Sequence, residues 1–175
     1  MHNQNTSPEA IRQRTLAALG ILDTAPEGEF DALVMAARRI FGARTAYISL
    51  IDTDRQWFKA REGFAPSEVA RECSICATAV DENREIVVEN LQEHPVYGKL
   101  PDIVAMPHFQ FFATIPLMGP LLDGECAPIG TLCVIDDRPW IANREELDEL
   151  RQLARVVESL LRTRLDAKLA EAALI

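Results

Sequence analysis

Two stretches of this chain have no polar face. In the run at 111–118, Ala113, Ile115 and Leu117 alternate with Phe112 and Thr114; in PIGTLCVID at 128–136, Leu132 and Val134 alternate with Thr131, Cys133 and Ile135. A strand that is apolar on both sides lies in a sheet covered on both faces. The chain must therefore provide two covering layers. With 175 residues, 48% of them hydrophobic, it can bury one sizeable core, so a single domain over 1–175 with an extra helix is expected rather than two domains.

One layer is legible as helices. Ser7-Pro8-Glu9 has the form of a helix start and Leu19-Gly20 of its end, which gives an N-terminal helix within 1–22 with Ile11, Leu16 and Leu19 on its apolar side. Thr24 and Glu27 have capping-box spacing, and Phe30, Leu33, Val34, Ala37 and Phe41 recur at helical intervals until Gly42. Asn143 with Glu146 forms another such box, opening a C-terminal helix over 143–172. In it Leu147, Leu150, Ala154, Val157 and Leu161 are spaced by three and four, with Leu165 and Leu169 continuing one position out of register. Beyond about Leu160 this helix is expected to outrun the domain and to pair with the same helix of a second copy, giving a homodimer through the terminal helices.

The second layer is less regular. TAYISLI at 45–51 and QWFKAR at 56–61, joined by Asp52-Thr53-Asp54-Arg55, predict a hairpin. A short helix is expected over about 68–80 and a strand over 84–90. Pro95, Gly98, Pro101 and Pro107 break every periodicity from 91 to 110, leaving a loop with one short helix near 96–104. Loops of that length in a compact domain commonly cover a site. Three helices on one face, and a short helix plus loop on the other, place a cavity under the less regular cover.

Composition excludes several function classes. A formal charge of −9 and a pI near 4.8 oppose a phosphate-binding surface, so nucleic acid is not an expected partner. Residues 103–122 carry no charge, but Pro107, Pro116 and Pro120, with His108 and Gln110, exclude a membrane span. MHNQNTSPEAIRQRTL lacks an apolar signal region, and a cytoplasmic location is expected. No phosphate loop, nucleophile elbow or His-Glu-x-x-His is present, and His2, His94 and His108 are far apart. Cys73-x-x-Cys76 lacks a second close pair, since Cys126 and Cys133 are seven apart. No catalytic set, metal site or cofactor is expected. Cys76 and Cys133 read as small buried side chains, Cys73 and Cys126 as more exposed ones, with no disulfide in a reducing compartment. Asp52 and Asp54 serve the turn.

The blocks LGILDTAPEGEFD (19–31), ISLIDTDRQWFKAREG (48–63), RECSICATAV (71–80), FFATIPL (111–117) and PIGTLCVID (128–136) occur in an order that resembles GAF domains. The likeness is to the variety at the N-termini of bacterial sensor histidine kinases and cyclic-di-GMP signalling proteins. It implies an α/β (α+β) fold in which a central antiparallel sheet has the terminal helices on one face and a ligand pocket on the other. It also implies a non-catalytic, homodimeric sensor of an unidentified small molecule that signals to a partner or a further domain. Relatives commonly have His where Thr78 stands, and Cys where Cys76 stands. The Asn-Lys…Phe…Asp-Glu signature of cyclic-nucleotide-binding members is absent, and no His adjoins a Cys as in bilin-carrying members. A free methionine sulfoxide reductase is an alternative, though 91–110 lacks the additional pocket cysteine of that branch; a purely structural dimerisation module is another. The candidate ligand-binding residues are Trp57, Lys59, Cys76, Thr78, Phe112 and Cys133, with Tyr97 and His108 from the covering loop.

Overall fold

The protein is described by a computed structural model over residues 7–120 and 126–174. Six strands, β1 (Thr45–Ile51), β2 (Arg55–Glu62), β3 (Glu68–Ala70), β4 (Ile86–Val88), β5 (Phe111–Pro120) and β6 (Cys126–Asp136), form one antiparallel sheet in the order β3-β2-β1-β6-β5-β4. The two strands without a polar face, β5 and β6, pair along their length near its centre. Two-sided burial follows, and both faces are covered.

Helices α1 (Pro8–Leu19), α2 (Gly28–Phe41) and α5 (Arg144–Ala172) cover one face. Leu16, Leu19, Phe30, Val34, Phe41, Leu150, Val157 and Leu161 pack there against Ile48, Phe111, Leu117, Leu132 and Val134 of the strands. Ser7 caps α1 by accepting from Ala10 N, and the Asn143–Glu146 capping box opens α5. Gly20 and Gly42 end α1 and α2 in the left-handed region, at φ 52° and 57°, where a side chain would be strained.

Four boundaries differ from the sequence reading. Thr24 does not cap α2: its Oγ1 donates to Ile21 O, and the helix begins after Glu27, whose carboxylate is engaged in ion pairs. The block at 68–80 is not one helix; it divides into β3, a single 3₁₀ turn at 71–73 and α3 (Ile75–Asp81), because Arg55, Gln56 and Trp57 recruit Glu68–Ala70 as an edge strand. The strand expected at 84–90 is ordered as β only over β4. Finally, α5 does not leave the domain at Leu160. Leu165 is still buried, and Arg164 reaches the end of α1, donating from Nε to Leu19 O at 3.1 Å. The C-terminus of α1 and the start of α2 extend under that part of the helix, which the sequence could not foretell. The N-terminal reading at 1–22 is described only from Ser7 onward, and His2 lies outside the described residues.

On the second face α3 lies over the sheet centre. The segment 91–110 forms 3₁₀ turns at 91–93 and 97–99 and one short helix, α4 (Pro101–Ala105). No described helix is long and apolar enough to cross a membrane.

Candidate functional site

Antiparallel register builds the floor of the site. Tyr47 of β1 lies opposite Cys133 of β6, which in turn lies opposite Thr114 of β5, so a hydroxyl, a thiol and a hydroxyl form a row across three strands. Cys76 of α3 sits above this row, its Sγ 3.6 Å from Tyr47 Oη and 3.7 Å from Thr114 Oγ1. Ser49 and Thr131 form a second row, their hydroxyls 3.0 Å apart. Gln56 Nε2 donates to Ser49 Oγ at 2.8 Å, and Ser74 Oγ donates to Gln56 Oε1 at 2.5 Å while accepting from Ala77 N to cap α3. One polar strip thus seats α3 on the sheet and satisfies its own buried groups.

The strip is fully desolvated. Burial, with Cys133 and Cys76 alongside, pushes the Tyr47 phenol well above its ordinary value, so it is a neutral donor. Burial also disfavours the thiolate at both cysteines. At Cys76 hydrogen bonds from Cys133, Thr131, Tyr47 and Thr114 outweigh burial and hold its thiol below the usual range, whereas Cys133 is pushed up. Of the pair, Cys76 is therefore the more acidic.

Beside the strip the sheet face turns aromatic. Tyr47 meets Phe58 edge-on at 4.8 Å between centroids, Phe58 meets Phe64 at 5.1 Å, and Phe64 lies 6.4 Å from Phe109. These rings, with Phe112 and Met106, surround a cavity of about 50 Å³, while Cys73 and Asp102 also line it. That is room for one or two waters, each occupying about 30 Å³ in the liquid. Ligand pockets run to roughly 300–1,000 Å³. The void expected under the irregular cover exists, but in this conformation it is nearly filled, because Ile103, Met106 and Phe109 reach down from the covering segment.

The candidate residues divide among several places. Cys76 and Phe112 line the cavity, and Cys133 lies beneath Cys76 in the same core. Tyr97 is buried in that core too, but it stacks on His94 at 4.5 Å and lines an outer groove instead. Thr78 is half-buried and faces surface grooves on the outer side of α3. His108 is exposed, its ring edge-on to Phe109.

Trp57 and Lys59 are on the opposite face: Trp57 packs in the helix-layer core, and Lys59 bonds Glu27 there. Alternation along β2 puts Trp57 and Lys59 on one face and Phe58 on the other; Ile48 pairs with Ala60 and Ser49 with Phe58, so Lys59 is the extra residue of a bulge and Ala60 stays on the helix side with it. Alternation pairs Trp57 with Lys59 but does not say which of the two buried faces they take; the partners across the sheet decide that. Tyr47, Phe58, Phe64, Ile103 and Phe109 were not anticipated for the site. Alternation along β1 separates Tyr47 from Ala46 and Ile48, but nothing local says which side faces the cavity.

Among the described residues no group of three or more His, Cys, Asp or Glu side chains could hold a metal ion.

The family model described as GAF domain matches residues 25–161. A cyclic di-GMP phosphodiesterase of Pseudomonas aeruginosa is 31% identical over 157 residues, covering 89% of this chain. The chain spans only 26% of that relative's length, about a quarter of it. The free methionine-R-sulfoxide reductase of Neisseria meningitidis, solved with its substrate, superposes with a TM-score of 0.62 at 17% identity, covering 95% of this chain and 98% of that one. The GAF domain of an Acinetobacter phosphoenolpyruvate-protein phosphotransferase gives a TM-score of 0.62 at 13% identity, covering 89% and 93%. These structural likenesses establish the shared fold. The family match over most of the chain, the relative at 31% identity, and the sheet with its two unlike covers lead to one conclusion: this chain belongs to the GAF domain family.

Proposed function

We propose that this GAF domain is a non-catalytic sensor module of a bacterial signalling protein, working in the cytoplasm, whose cavity on the second sheet face accepts a small molecule and whose α5 reports its occupancy. The observation that carries the proposal is the aromatic cavity lying against a buried hydrogen-bonding strip under a weakly held cover. Of the five residues of α4 only Ile103 is buried, and Val104 is 61% exposed. Displacing α4 with Met106 gives up the burial of one to two apolar side chains, roughly 2–5 kcal/mol. A state a few kcal/mol above the ground state is open to selection by a ligand.

The path to α5 is short. Phe58 lines the cavity, and the next residue, Lys59, bonds Glu27 on the other face, which Arg164 of α5 also bonds. Occupancy that moves β2 therefore acts directly on the network holding α5.

We further propose a homodimer through α5. Leu153, Val156, Leu160, Thr163, Ala167 and Ala170 recur at spacings of three and four along a stripe of α5 adjoining the Leu150–Leu165 one; Leu153 and Leu160 touch the domain core at its margin, and Leu174 follows just past the helix. Val156 is 46% exposed and Leu174 89%. A second copy of the same helix is a self-complementary cover for such a seam.

Thermal-shift screening against metabolite classes tests the sensor reading, since a ligand at a hundred times its dissociation constant adds about 2.7 kcal/mol. If no class raises the melting temperature, the chain is a structural dimerisation module. Thiol-dependent turnover of free methionine sulfoxide would instead favour a reductase.

A further inference from the structure

From the charge of the cavity we infer that its ligand is an uncharged, flat, largely apolar molecule with a hydrogen-bonding end, and that anions are rejected. This inference rests on the reading of the cavity as a ligand site. Five aromatic rings supply the walls: Tyr47, Phe58, Phe64, Phe109 and Phe112. The polar atoms at its inner end are the hydroxyls of Tyr47 and Ser74, the Gln56 amide and the Cys76 sulfur, and none of them can carry a positive charge. Among the residues that line it there is no Lys, Arg or His, and the one ionisable carboxylate is Asp102 on the covering helix.

The neighbouring cations are engaged elsewhere. Arg71 donates to Glu9 and Asp81, Arg55 to Asp23, Asp52 and Glu68, and Lys59 lies on the other side of the sheet. A carboxylate or phosphate entering this space would shed its water without meeting a counter-charge, and would approach Asp102 as it did so. A neutral heteroatom meets no such penalty. It also finds an underused partner: the Tyr47 hydroxyl is buried, and its partner among the described residues is a thiol at 3.6 Å, a weak acceptor that an oxygen or nitrogen would improve on.

The test compares two near-isosteric probes on the whole chain, indole-3-carboxamide and indole-3-carboxylate, followed by the backbone amide resonances of ¹⁵N-labelled protein. The carboxamide is expected to shift the amides of Cys76, Ile103 and Phe109 and to bind at least tenfold more tightly than the carboxylate. Equal or tighter binding of the carboxylate at those amides overturns the inference while leaving the ligand site in place. If neither probe moves those amides, the cavity reading falls and takes the inference with it. In Asp102→Lys the difference between the probes is expected to shrink below threefold. A difference that stays tenfold in this variant shows that something other than charge excludes the anion, and overturns the argument.

Discussion

Lys59 is sealed inside the helix layer with its Nζ 2.6 Å from Oε1 of Glu27, while Phe58, the residue before it in β2, faces the cavity on the other side of the sheet. Its remaining protons go to Thr24 Oγ1 at 2.8 Å and Ala25 O at 2.7 Å, so the ammonium is fully coordinated. Arg164 Nη1 approaches the same Glu27 oxygen at 2.8 Å, and its Nη2 reaches Gly20 O. A strand, two helix ends and the C-terminal helix thus meet at one carboxylate.

Removing that carboxylate strands a buried charge, whereas removing the lysine does not. Glu27→Ala is expected to destabilise by about 3 kcal/mol, the low end for a broken buried pair because Glu27 is itself 35% exposed. Lys59→Met keeps most of the packed volume and leaves Glu27 paired with Arg164, so it is expected to cost less than half as much. Urea denaturation of both variants decides; equal losses would show that the pair acts only through its packing.

Acid sensitivity should follow from two glutamates. Burial raises the Glu9 carboxyl, but hydrogen bonds from Arg71, Arg12 and Gln13 outweigh it and bring it down to about 2 from an ordinary 4.5. Burial is likewise outweighed at Glu27 by Lys59 and Arg164, which hold it below its ordinary value. A carboxylate with a depressed folded pKa stabilises fully above its unfolded pKa and loses that contribution as pH falls through the folded one. Stability is therefore expected to drop from about pH 4.5 toward pH 2. In Glu9→Gln the slope of stability against pH over that window should be shallower, measured by chemical denaturation at successive pH values.

The polar strip under α3 should respond unequally to the loss of its members. Gln56→Leu leaves the buried Ser49 and Ser74 hydroxyls without their amide partner and is expected to cost about 2–4 kcal/mol. Tyr47→Phe removes a hydroxyl whose partner is a thiol at 3.6 Å and should cost under about 1 kcal/mol. Thermal melts of the two variants side by side would expose any reversal of this order.

Gly130 in the PIGTLCVID block is fixed by a close approach of strands. A Cβ there would lie 2.1 Å from Ser49 O of β1, a backbone atom that cannot swing aside. Gly130→Ala is expected to destabilise by about 3 kcal/mol or more and to separate β1 from β6, read as accelerated hydrogen exchange at Ser49 and Leu50.

The oligomeric proposal has its own variant. Val156→Glu places a charge on the exposed seam of α5 without touching Leu150, Val157 or Leu161. Light scattering at tens of micromolar is expected to give a dimer for the parent chain and a monomer for the variant, with unchanged far-ultraviolet circular dichroism. A monomeric parent chain would remove the proposal.

How far the sequence reached depended on whether a signal was local. Ser7 at the start of α1, Gly42 at the end of α2, and the Asn143–Glu146 box were legible because a cap acts within one turn of chain. The hairpin of β1 and β2 was legible from its turn. Glu27 shows the converse: its spacing from Thr24 suits a capping box, yet the tertiary offer of Lys59 and Arg164 wins over the local one. The edge strand β3 was concealed in the same way, since three residues become a strand only when β2 is present to pair with them.

What the residues alone determined is the two-sided burial of β5 and β6, and with it the need for two unlike layers over an antiparallel sheet, because alternation without a polar side leaves no surface for water. What only the tertiary structure decided is which cover each residue of a strand buried on both faces meets. The register of β1 against β6 puts Tyr47 beside Cys133, and the register of β2 on β1 turns Phe58 toward the cavity and Trp57 and Lys59 toward the helices. Hydrophobicity states that a side chain is buried; only its partners across the sheet state on which side.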